Sequence, residues 1–289
     1  MLIATRESGI PPSDEPYTPQ WAVAQIKLLG LDGIEFSTLP PAPPRTKRRG
    51  IWAEALDGQQ REQLRRVAET AGVTITSLSS DWVWGFSEYH PTLDSWQRGG
   101  EILKKYMELT VDLGAKACLI HFARAQATWE QAKRYCAETA EVAARRGVIA
   151  AFEGSLWHLC GLGGMDELLR MVAEVDSPGF GVYAHPRGPA RTNAEEIVKV
   201  GKHLACLHHS FIEPDTDYPA MFSALKTVGY DYAWVFEWST EELPRRPTLG
   251  FSRGWACSAG SALAGCAPPG LRCGGRGWRP RRQGRPKSL

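Results

Sequence analysis

The stretch Gly147-Val-Ile-Ala-Ala-Phe-Glu-Gly154 sets the reading of the whole chain. Five small or apolar residues run straight into a carboxylate, and a glycine follows at once. A strand covered on both faces needs no polar alternation, and this is how the strands of a helix-covered parallel sheet look. Glu153 closes the stretch at its C-terminal end, where α/β folds place their chemistry. The same grammar recurs in Phe180-Gly-Val-Tyr-Ala-His185, Leu204-Ala-Cys-Leu-His208 and Tyr232-Ala-Trp-Val-Phe-Glu237. Four apolar strands thus end in Glu153, His185, His208 and Glu237.

Outward from these strands the chain alternates regularly. Upstream, Met1–Thr5, a short apolar opening, and Ile34–Ser37, Val73–Leu78 and Lys116–His121 read as the first four strands. Helical patterns separate them. The first follows Thr18 as cap and Pro19 as first helical residue, and Gln59–Ala71, Trp96–Leu113 and Trp129–Arg146 come after it. Downstream, Met165–Val175, Ala194–His203 (capped by Asn193) and Pro219–Val228 lie between the later strands. Eight strands alternating with seven helices predict a (β/α)8 TIM barrel over an open doubly wound sheet. No glycine-rich phosphate loop stands between a strand and a helix, which disfavours nucleotide binding.

Two segments break the pattern. Leu39–Gly50, with Pro40, Pro41, Pro43 and Pro44, reads as a stiff loop at the same end as Glu35, placed to cover a site there. After Ser239-Thr-Glu-Glu-Leu243 the composition changes abruptly, so the barrel is expected to occupy residues 1–243 and to have a missing or aberrant last helix. Residues 244–289 form a Gly/Pro/Arg-rich tail, and three readings apply to it: a basic arm for an acidic partner, a disordered extension, or out-of-frame translation of a GC-rich gene. The last is the favoured reading, because such translation yields this mixture.

The tail also accounts for the charge. Lys and Arg total 34 against 32 Asp and Glu, but residues 245–289 hold ten of the basic residues and none of the acidic ones. The remaining 24 basic against 32 acidic residues leave the body mildly acidic, which argues against a nucleic-acid partner. No apolar run approaches the length of a membrane span. The start lacks a secretory pattern, and the seven cysteines show no paired spacing. A reduced cytoplasmic setting is expected.

Two carboxylates and two imidazoles at four successive strand ends make a mixed N/O shell for one divalent ion. Mn²⁺, Co²⁺, Fe²⁺ and Zn²⁺ suit it, and Mg²⁺, which prefers oxygen, suits it less. Side chains alternate along a strand, so His208 and the adjacent His209 face opposite ways, and a shift of one residue would exchange them. His209 therefore stays a candidate on the substrate side. Other candidates for substrate contact are Glu35 and His121, at the ends of strands two and four. Arg187 could hold a carboxylate or phosphate, and Trp82 (with Trp84) could wall an apolar sugar face.

The segments Leu29-Gly-Leu-Asp-Gly-Ile-Glu35, Ala71-Gly-Val73, Asp112-Leu-Gly-Ala-Lys116, Ala151-Phe-Glu-Gly154, Gly181-Val-Tyr-Ala-His185, Cys206-Leu-His208 and Val228-Gly-Tyr-Asp-Tyr-Ala-Trp-Val-Phe-Glu237 resemble the xylose isomerase-like TIM barrels. More narrowly they resemble the sugar phosphate isomerase/epimerase group, over about residues 1–243. The resemblance implies a metal held by Glu153, His185, His208 and Glu237, with His185 standing where the family usually has Asp. It also implies Glu153 and Glu237 as the catalytic base and acid. A metal-dependent isomerase or epimerase acting on a ketose through an enediolate follows. The alternatives are a dehydratase or lyase on a cyclic polyol or keto acid, a DNA-repair endonuclease on the same barrel, and a non-catalytic barrel. The implied partner is a small sugar or polyol, with no nucleic acid and no membrane, and a homo-oligomer is compatible with all of these readings.

Overall fold

Every apolar run that ends in a polar residue becomes one stave of a barrel. The computed structural model describes residues 1–11, 15–38, 50–80, 96–120, 128–153, 164–185, 190–209 and 217–237. The strands are β1 (Leu2–Arg6), β2 (Gly33–Ser37), β3 (Thr74–Ser79), β4 (Ala117–Ile120), β5 (Ile149–Glu153), β6 (Phe180–Ala184), β7 (Leu204–His209) and β8 (Ala233–Phe236). They pair in parallel in chain order, and β8 closes on β1, with Leu2 opposite Ala233 and Thr5 opposite Phe236. The chain is a (β/α)8 TIM barrel.

Among the described residues the helices are α1 (Pro19–Leu29), α2 (Gly58–Ala71), α3 (Trp96–Asp112), α4 (Trp129–Arg146), α5 (Met165–Val175), α6 (Ala190–Val200) and α7 (Tyr218–Thr227). Local chemistry sets their starts. The Thr18 hydroxyl accepts from Trp21 N–H at 3.0 Å, and Asp57 with Gln60 and Thr128 with Gln131 form reciprocal capping boxes. One expected element differs. Asn193 lies inside α6 instead of capping it, and Gly201, at φ +56°, ends the regular helix at Val200. A 3₁₀ turn, Gly201–His203, then leads into β7.

Two cores follow from the alternation of side chains. A large one fills the layer between strands and helices, with Ile34, Phe36, Leu78, Phe152, Val182, Leu207 and Trp234 all buried. A smaller one, made of Ala4, Leu119, Ala151, Tyr183, Ala205, Cys206, Ala233 and Val235, fills the barrel interior. Mostly small, these residues leave room for one large ring, Tyr183. The pairing slips between Ile34 and Glu35 on β2 and between Val182 and Tyr183 on β6. These bulges set Glu35 beside Ser77 and Tyr183 beside Cys206, and so re-aim side chains at the level of the site. Among the described residues no helix is long and apolar enough to cross a membrane. The expected Pro-rich cover, the last helix after Glu237 and the 244–289 tail lie outside the described residues.

Candidate metal centre

Residues two apart on a strand share a face. Ala151, Tyr183, Cys206 and Val235 belong to the barrel interior, so Glu153, His185, His208 and Glu237 must point inward one layer higher. The structure brings these four together. One ligating atom from each lies within 4.8 Å of the others. His185 Nδ1 contacts Glu153 Oε1 and stands 3.8 Å from Glu237 Oε2. His208 Nδ1 is 3.5 Å from Glu153 Oε1 and 3.9 Å from Glu237 Oε2.

Depth divides the four. The imidazoles form a floor, with side chains 3% (His185) and 0% (His208) exposed, while Glu153 and Glu237 keep 20% and 27%. The two carboxylates are therefore the members that reach solvent at the barrel mouth. The donors fit a divalent ion of mixed N/O preference. His208 Nδ1 adds a specific sign: it is buried, aimed at the carboxylates, and makes no hydrogen bond among the described residues.

A second, deeper layer holds the first. His208 Nε2 lies 2.7 Å from Glu35 Oε1, which leaves Nδ1 as the free ring nitrogen when Nε2 donates. Glu35 is fully buried and does not reach the mouth, so the expected substrate contact gives way to a supporting one. Its Oε2 accepts from Ser77 Oγ at 2.6 Å and from the Tyr183 hydroxyl. Arg6, at the end of β1, places Nε 3.4 Å from Glu35 Oε1, donates Nη1 to Glu237 Oε1 and donates Nη2 to Ser37 Oγ at 2.9 Å. Burial alone would raise the Glu35 carboxyl, but His208, Ser77 and Arg6 outweigh it and hold it down at about 2. For His208 burial is likewise outweighed, chiefly by the Glu35 charge, and its proton affinity is raised.

His209 goes elsewhere. It faces the helix layer, stacked on Trp234 at 5.4 Å between ring centroids and beside Tyr218 and Phe236. Burial among these rings, helped by His185, lowers its pKa to about 4 and keeps it neutral. It is thus not a substrate-side residue, because the strand phase turns it away from the barrel axis. Trp82, Trp84, His121 and Arg187 lie outside the described residues. The site members that sequence reading missed are Arg6, Ser77 and Tyr183. Arg6 had a legible signal, a charged residue ending an apolar strand, whereas Ser77 and Tyr183 carry none.

A family model described as a xylose isomerase-like TIM barrel matches residues 23–186, more than half of the 289-residue chain, and so takes in Glu153 and His185. No curated protein matches the sequence significantly. Among solved structures, a D-psicose 3-epimerase from Clostridium cellulolyticum H10, solved with D-tagatose, aligns with a TM-score of 0.64 at 15% identity. The alignment covers 91% of this chain and 97% of that one. An L-ribulose 3-epimerase gives 0.63 at 18% identity, covering 91% and 96%. A 3-keto-D-glucoside 4-epimerase from E. coli gives 0.60 at 16%, covering 91% and 98%. At these identities the likeness is one of fold.

Proposed function

Since the chain belongs to the family of xylose isomerase-like TIM barrels, we propose that it is a divalent-metal-dependent isomerase or epimerase acting on a ketose or a related sugar. One observation carries the reading: four donors from β5, β6, β7 and β8 converge within 4.8 Å, and only the two glutamates reach solvent. The three structural neighbours named above are sugar epimerases, and this supports the substrate class.

Glu153, His185, His208 and Glu237 would hold the ion, with Mn²⁺, Co²⁺, Fe²⁺ or Zn²⁺ suited to a shell of two nitrogens and two oxygens. Bound there, the ion supplies Lewis-acid stabilisation of charge developing on substrate oxygens. The protein supplies the proton chemistry. Glu153 and Glu237 come from strands on opposite sides of the cluster, so a sugar at the mouth lies between them. One takes the proton from the carbon beside the carbonyl and the other returns a proton, giving isomerisation or epimerisation. Glu237 engages Arg6 through Oε1 and Glu153 contacts His185 through its own Oε1, and we assign the first proton removal to Glu153. The histidines lie too deep to touch substrate and serve as ligands.

The test combines metal analysis with a ketose screen in deuterated water, comparing wild type with Glu153→Gln. Wild type is expected to bind about one ion per chain and to exchange a carbon-bound proton. The variant should fold normally and lose exchange by about a hundredfold or more, within the usual range for general acid–base groups. A wild-type protein that binds no metal after reconstitution would sink the proposal.

A further inference from the structure

Two charged residues beneath the site are buried and do not belong to the ligand set. Arg6 and Glu35 are 7% and 0% exposed. Burying a charge costs several kcal/mol unless it is paired and hydrogen-bonded, and a cross-strand brace could be built more cheaply from apolar residues. Their bonds run to particular atoms of the ligands. Glu35 Oε1 takes His208 Nε2, the ring nitrogen that faces away from Glu153 and Glu237. Arg6 Nη1 takes Glu237 Oε1, and Glu237 Oε2 is left facing both imidazole Nδ1 atoms. Arg6 and Glu35 also engage each other, at 3.4 Å.

We propose that Arg6 and Glu35 are positioning residues that preset two of the four donors, His208 Nδ1 and Glu237 Oε2, before any ion arrives. This rests on the metal reading above and goes beyond it. An imidazole can ligate through either of its two nitrogens, and Glu35, by engaging Nε2, leaves Nδ1 as the one turned to the cluster. A carboxylate can ligate through one oxygen or two, and Arg6 commits one of them. The result is a four-donor set that stays at four, with the remaining coordination positions left on the open side. Ser77 and Tyr183 in turn hold Glu35 by its other oxygen, so the carboxylate cannot rotate out of the line between Arg6 and His208. Outer partners of this kind typically alter metal affinity by about 10–100-fold.

The experiment uses Co²⁺ as probe, with affinity from competition against a chelating dye and coordination from the visible absorption band. The proteins are wild type, Glu35→Gln, Arg6→Met and Arg6→Lys, each at a temperature where circular dichroism shows it folded. Arg6→Met is expected to weaken Co²⁺ binding about tenfold and to lower the band intensity, because Glu237 can now chelate with both oxygens. Arg6→Lys restores charge but not the fork that spans Glu237, Glu35 and Ser37, so the band should stay altered. Glu35→Gln should weaken binding more, toward the hundredfold end, because it releases both His208 and Arg6. Should Glu35→Gln not fold, the two Arg6 variants decide alone. Folded variants with wild-type affinity and spectrum would overturn the positioning role and leave the metal site intact. A wild type that takes up no Co²⁺ would instead remove the metal reading itself.

Discussion

Replacing Glu7 with glutamine isolates one buried carboxyl whose titration should be visible in stability. Glu7 opens the 3₁₀ turn after β1 and is fully buried. Its Oε2 accepts from Ser37 N–H at 2.8 Å, while Oε1 is buried without a hydrogen bond among the described residues. Burial outweighs the neighbouring Arg6 and pushes the carboxyl from 4.5 up to about 7. The folded state therefore keeps this proton until about pH 7, whereas the unfolded chain releases it near 4.5. Between those values the folded state binds more protons, so the contribution is fully present below pH 4.5 and is lost as pH rises through 7. A displacement of this size corresponds to about 3 kcal/mol at most, taking ~1.4 kcal/mol per unit. In Glu7→Gln the penalty is gone, so the variant should match wild type near pH 4.5 and exceed it at pH 8. With roughly 2–4 °C per kcal/mol for a domain of this size, the gain in melting temperature at pH 8 is on the order of 6–12 °C. Thermal melts of both proteins in a chelator, from pH 4.5 to 8, measure it. A difference that does not change with pH would refute the reasoning, because it would mean that Arg6 keeps Glu7 ionised throughout.

Three further outcomes are open to simple assays. His208→Phe should abolish Co²⁺ binding while His209→Phe retains it, since only His208 faces the cluster; equal losses in a dye competition would contradict the strand phase. Gly179→Ala would set a Cβ 2.2 Å from Ala140 O and 2.5 Å from Ala144 N, both backbone atoms of α4. A cost of about 3 kcal/mol or more is expected, and an unchanged melting temperature would show that α4 yields easily. Thr128→Ala removes one half of the α4 capping box and should cost about 1 kcal/mol in the same melts, with no effect on metal affinity.

The barrel was legible because a strand buried on both faces writes a near-continuous apolar run, most clearly in β4 to β8, and the eight strand segments alternated with helical patterns. The four converging residues were legible for a related reason, since a polar residue ending such a run has one side of the sheet to go to. Depth was not legible. Glu153 is the last residue of β5, whereas Glu35 sits at the middle of β2, two residues before its end, and pairs with Ser77 in the layer below. The apolar opening Met1–Thr5 stops one residue short of Arg6, which closes β1. For the pair His208 and His209 the alternation of a strand supplies the period but not the phase. What decides the phase is through-space: Glu35 on one side, and Trp234 with Tyr218 on the other. Tyr183 and Ser77 join the site from β6 and β3 across the interior, 148 and 42 residues away from Glu35 along the chain.

The contact between Arg6 and Glu237 has a kinetic meaning as well. It joins the first strand to the end of the last, across 231 residues of chain, at the seam where β8 meets β1. Joining residues so far apart carries a larger loop-closure cost than pairing strands adjacent in the chain, which favours closure of this seam as a late step. An ion gripping Glu237 would be gripping the latch of the barrel, and would first become bindable when the latch shuts. Metal uptake during refolding should then track the final closure and lag behind the burst of helix formation. Escape from the loaded state should require the seam to give way first, so that the occupied barrel unfolds more slowly than the empty one.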